Sequence, residues 1–66
     1  MDDFYNGYMA ADNELQEVDQ NGRTKWLKNS LKSFDNDPAV SPFQRGYKQL
    51  LVEENETNNR IRNARV

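Results

Sequence analysis

Nine lysines and arginines, eleven carboxylates and a few hydroxyls carry the reactive chemistry of this 66-residue chain, which has neither histidine nor cysteine. Their absence removes the usual general base near neutral pH, the commonest metal ligand, thiolate nucleophiles and disulfides. A nucleophile would have to be Thr24, Ser30, Ser33, Ser41 or a lysine, and no neighbouring motif supplies an activating base. A carboxyl general acid needs a desolvated pocket to raise its pKa. A chain this short buries only about 60% of its unfolded surface, which leaves little room for one. Asp35-Asn36-Asp37 resembles the opening of a calcium loop, but Val40 stands where the loop requires glycine and Gly46 where it requires a closing glutamate. There is no glycine-rich phosphate loop and no metal-ligand spacing. The expected chemistry is therefore binding, not catalysis, with no cofactor and no metal.

Two sets of residues have the composition of a binding surface. Tyr5 and Met9 lie roughly 100–140° from the apolar stripe of their helix, beside Asp12 and Gln16, and Val52 points away from the stripe of its own helix. Tyrosine and methionine with a polar rim suit a protein interface, although isolated exposed apolar residues are also ordinary. The second set is basic. Arg23, Lys25, Lys28 and Lys32 make a positive strip with Trp26 beside it to stack on a base, and Arg60, Arg62 and Arg65 follow near the end. Against a nucleic-acid surface stand Asp2, Asp3, Asp12, Glu14, Glu17 and Asp19, with which the lysines can instead share a solvated face. Mimicry of nucleic acid is disfavoured by a formal net charge of only -2.

Three helices must position these residues. Phe4, Tyr8, Ala11, Leu15 and Val18 recur at alternating steps of four and three, which predicts a helix over 3–19 capped by Asp2 or Asp3. Asp19-Gln20-Asn21-Gly22 follows as a turn in which Asn-Gly readily takes positive φ. Leu27, Leu31 and Phe34 cluster opposite the lysines in a second helix over 23–34, closed by Asp37-Pro38. Ser41-Pro42-Phe43-Gln44 combines an N-cap serine, proline at the first helical position and a glutamine placed to close a capping box, with Val40 available to pack back. Phe43, Tyr47, Leu50 and Leu51 then form the buried face of a third helix, whose core-packing part covers 41–52. Residues 53–66 read as a polar helical extension that frays, supported by a Glu56–Arg60 pair and open to ordering on a partner. The fold class is all-α, a small three-helix domain arranged as a bundle or an angular array. Its expected core is Phe4, Tyr8, Leu15, Val18, Trp26, Leu27, Leu31, Phe34, Phe43, Tyr47, Leu50 and Leu51.

Phe4-Tyr5-Asn6-Gly7-Tyr8 and Phe43-Gln44-Arg45-Gly46-Tyr47 share the pattern F-x-x-G-Y. Glycine inside a helix costs roughly 1 kcal/mol against alanine, so its use twice in one setting points to close approach of two helix backbones. Paired segments of this kind around a proline-containing loop resemble ribosome modulation factor, which would imply a ribosomal role. That family is strongly basic, whereas this chain is acidic overall.

With 30% charged and 35% hydrophobic residues but seven aromatics, the chain reads as one marginally stable domain. It begins at Met1 and reads as one complete short frame, with no membrane-spanning run and no signal peptide, so a cytoplasmic location is expected. Nine asparagines with no cysteine or histidine are a composition often met in phage proteins. The leading expectation is a binding protein that docks on a larger protein through Tyr5, Met9, Asp12, Gln16 and Val52 and inhibits or adapts it. The alternatives are nucleic-acid or ribosome binding through the basic residues, and a homo-oligomer that completes its core by self-association.

Overall fold

The computed structural model describes residues 2–64, with side chains through Ile61. Its elements are α1 (Asp3–Glu17), a 3-10 turn (Gln20–Gly22), α2 (Arg23–Asn36) and α3 (Pro42–Ala64), so the described chain is an all-α three-helix domain.

Local chemistry sets each boundary. Asp2 caps α1 by accepting the Phe4 N–H through Oδ1 at 3.1 Å. The helix stops at Glu17, where Val18 turns to extended backbone and its N–H donates to the Leu15 carbonyl. Asn21-Gly22 takes no positive φ. The chain instead tightens through the 3-10 turn, the Gly22 N–H donating to the Asp19 carbonyl at 2.8 Å, and runs directly into α2. Asp37, ahead of Pro38, closes α2.

The capping box of α3 forms as its residues predict. Gln44 N–H donates to Ser41 Oγ at 3.1 Å, while Gln44 Oε1 accepts from the Ser41 and Val40 N–H groups. The Val40 side chain does not pack back; it is 76% exposed. Beyond residue 52 the helix continues unbroken through Ala64. Asn58 Nδ2 donates to Thr24 Oγ1 at 2.9 Å, tying this extension to the start of α2.

The pairings along α3 give the topology. Phe34 rests against Tyr47 and Thr24 meets Asn58, so α2 runs antiparallel to α3. On the other flank, Phe4 and Gly7 meet Gly46 and Phe43, while Tyr8 and Glu14 meet Glu53 and Tyr47 higher up. Those contacts climb in one direction on both helices, so α1 and α3 run parallel in an up–down–up order. Both α1 and α2 pack chiefly on α3 and touch each other little.

The core comprises Ala11, Leu15, Leu27, Leu50 and Leu51, each at most 3% exposed, with Tyr8, Trp26, Leu31, Phe34 and Tyr47 packed around it. Fully burying each leucine contributes about 1.5–3 kcal/mol. Three expected core members are not in this cluster. Val18 is half-buried at the end of α1. Phe4 and Phe43 are 39% and 44% exposed. The main chains of α1 and α3 touch next to these two phenylalanines, leaving no space between the helices for their rings.

A candidate docking groove between the first and third helices

The α1–α3 seam begins at its two buried glycines. A Cβ on Gly7 would lie 2.7 Å from the Phe43 carbonyl carbon and overlap its oxygen; a Cβ on Gly46 would lie 2.8 Å from the Phe4 carbonyl carbon and overlap that oxygen. Both obstacles are main chain, so no rotamer change relieves them. The F-x-x-G-Y echo is thus the sequence mark of a helix crossing at which each glycine receives the other helix's backbone.

The symmetry of this crossing extends further than that pattern. Tyr8 OH donates to Glu53 Oε1 at 2.8 Å, and Tyr47 OH donates to Glu14 Oε2. Phe4, Gly7, Tyr8 and Glu14 correspond in order to Phe43, Gly46, Tyr47 and Glu53, with Asp2 and Ser41 capping the two helices. Each tyrosine reaches across the seam to the glutamate of the other helix. The two bonds lie on opposite sides of the pair, because Tyr47 and Asn58 face α2 whereas Gln49 and Glu53 project from the other flank of the Leu50 line.

One side of the α1–α3 pair is therefore filled by α2, and the groove between the two helices on the other side is covered by no further element among the described residues. Tyr8 and Asp12 line it from α1, with Tyr5, Met9 and Gln16 along its outer edge. Gln49 and Glu53 line it from α3. Tyr5 is 59% exposed and Gln16 is exposed, while Met9 and Asp12 are half-buried. Phe4 also shares a cleft of about 380 Å³ with Ala39, Arg45, Lys48, Gln49 and Val52, on the side of α3 turned away from α1, where the charged lining is basic. Four of the residues singled out for protein binding thus share the outer side of α1; half-buried Val52 is not brought to them, because it projects from the side of α3 turned away from α1.

The charges that act on Tyr8 in the groove are acidic. The Tyr8 hydroxyl pKa is raised first by its hydrogen bond to Glu53 and then by burial, with further upward pressure from the charges of Glu53, Glu54 and Asp12. The Glu53 carboxyl is held below its ordinary value by hydrogen bonds donated by Gln49 Nε2, at 2.9 Å, and by Tyr8. On the filled side, burial is the main force raising the Tyr47 hydroxyl, with the Glu14 hydrogen bond second.

The basic set is divided by the fold. Lys25, Lys28 and Lys32 are exposed on α2, and Arg60 is exposed on α3. Trp26 is half-buried against the core, which occupies the ring expected to stack on a base. Arg23 is half-buried, its Nε closed off from solvent without a hydrogen-bond partner among the described residues. It lines a cleft of about 310 Å³ with Leu15, Leu27, Glu54, Asn58 and Ile61. The Arg62 side chain and Arg65 lie outside the described residues. Among the described residues no group of three acidic side chains is placed to hold a metal ion, and no helix is long and apolar enough to cross a membrane.

The pairing of Glu14 with Tyr47 and of Glu53 with Tyr8 was not anticipated from the sequence. Its signal is present all the same: both segments extend to F-x-x-G-Y-x-x-x-x-x-E. No protein family, curated protein or solved structure matches this chain.

Proposed function

We propose that this chain is a non-catalytic binding protein that docks on a larger protein through the outer side of α1 and modulates it by inhibition or adaptation. The observation that carries this reading is the uncovered groove beside α1, where Tyr5 stands exposed next to Met9, Asp12 and Gln16 while α2 occupies the opposite side of the helix pair. An aromatic and a methionine within a polar rim have the composition of an interface centre. None of these four residues belongs to the buried core.

The test is to change Tyr5 and Met9 together to serine. Affinity for the partner falls by on the order of tenfold or more, the loss typical of a truncated interface anchor. Thermal stability stays within about 0.5 kcal/mol of the parent, as for surface substitutions generally. Unchanged affinity at unchanged stability would eliminate this face.

A second reading, binding to nucleic acid, is favoured by the exposed row Lys25, Lys28 and Lys32. It requires affinity that falls steeply with salt and is lost when those three lysines are replaced.

A further inference from the structure

The crossing's symmetry specifies the kind of partner the groove accepts. Tyr8, Asp12 and Gln16 occupy on α1 the places that Tyr47, Leu51 and Asn55 occupy on α3. The α3 set is the bed of α2, an amphipathic helix antiparallel to α3 that lays Leu27, Leu31 and Phe34 on the core and turns its lysines outward. The α1 set has the same tyrosine but a carboxylate in place of the buried leucine. Across from it stands Glu53, and every charge acting on Tyr8 between them is a carboxylate.

We infer that the groove receives one amphipathic helix of the partner protein, antiparallel to α1 and α3, with an apolar residue on Tyr5 and Tyr8 and lysine or arginine facing Asp12 and Glu53. The shape argument is the α2 precedent on the equivalent bank. The charge argument is that an apolar helix would leave Asp12 and Glu53 desolvated without a counter-charge, which is costly, whereas a basic one pairs with them. Helix-in-groove recognition of this kind reads an apolar stripe for affinity and flanking charges for selectivity. The incoming N-terminus lies at the Gln16 end, as the N-terminus of α2 lies by Asn58, which places its positive dipole over the acidic half of the groove.

This inference rests on the docking reading, and one experiment separates the two. The photoreactive amino acid benzoylphenylalanine is placed at exposed Gln16 in the full chain, crosslinked in the cell that makes the protein, and the attached segment is sequenced by mass spectrometry. The expected result is one partner segment with apolar residues at helical spacing and at least two lysines or arginines on the same flank. Crosslink yield then falls by tenfold or more in Asp12→Lys with Glu53→Lys, and less in Glu53→Gln, which keeps an acceptor for Tyr8. Circular dichroism establishes that both variants are folded. An acidic, extended or irregular segment, or a second copy of this chain, would overturn the helix inference. No crosslink from Gln16, and none from a second probe at Tyr5, would overturn the docking reading itself.

Discussion

Gly7 and Gly46 are the residues on which the structure depends most directly, because each occupies space that the other helix's carbonyl needs. Gly7→Ala and Gly46→Ala should each cost about 1–3 kcal/mol or more, the range for overpacking, since main chain must move. In a domain of this length, with total stability of roughly 3–10 kcal/mol, the double variant should be largely unfolded. Urea denaturation checks this, and alanine tolerated at both positions would refute the crossing. Gly22 is the internal control. A Cβ there meets only a Val18 methyl at 3.8 Å, and its φ is negative, so Gly22→Ala should be neutral or mildly stabilising.

The tyrosines carry a pH signature. Both hydroxyl pKa values are raised, so the folded state holds these protons more tightly than the unfolded chain, whose tyrosines ionise near pH 10. Their contribution is complete below about pH 10 and is lost as pH climbs above it. Glu53 has the opposite sign: its lowered pKa favours the fold above the ordinary glutamate range and loses that contribution as pH falls through it. Melting temperature against pH should fall on the alkaline side. Tyr8→Phe with Tyr47→Phe should flatten that limb.

Among the elements, α3 owes its start to local chemistry and its far end to a contact with another helix. Ser41 and Gln44 announce their capping box through local spacing alone, and the structure forms it. Ser41→Ala should therefore cost about 1 kcal/mol, measurable by thermal melting. The extension past residue 52 read as solvated because its stripe turns polar. The structure uses that polarity, since Asn58 finds Thr24 on α2, a long-range contact that sequence periodicity does not encode. A double-mutant cycle between Thr24→Val and Asn58→Ala should give a coupling of about 0.5–1.5 kcal/mol; no coupling would detach the extension from α2. Phe4 and Phe43 illustrate the limit of stripe reading. Their spacing is that of core residues, but the contact of the two main chains at the glycines leaves both rings partly exposed.

Considered whole, the molecule is a parallel helix pair with one bank filled and one open. Three helices, the glycine crossing and most of the apolar core were legible because periodicity and helix-end chemistry are local properties. The groove was only half legible. The face carrying Tyr5, Met9, Asp12 and Gln16 follows from helical angles, but Glu53 and Gln49 join it only once α3 is laid beside α1. The two surfaces that remain, the acidic groove and the lysine row of α2, make opposite demands on a partner.

The sharpest test is a tagged pull-down from the native host's lysate, with and without nuclease, comparing the parent chain with two variants. One protein should be retained through nuclease, lost when Tyr5 and Met9 become serine, and kept when Lys25, Lys28 and Lys32 become alanine. Material that disappears with nuclease and follows the three lysines instead would refute docking through α1.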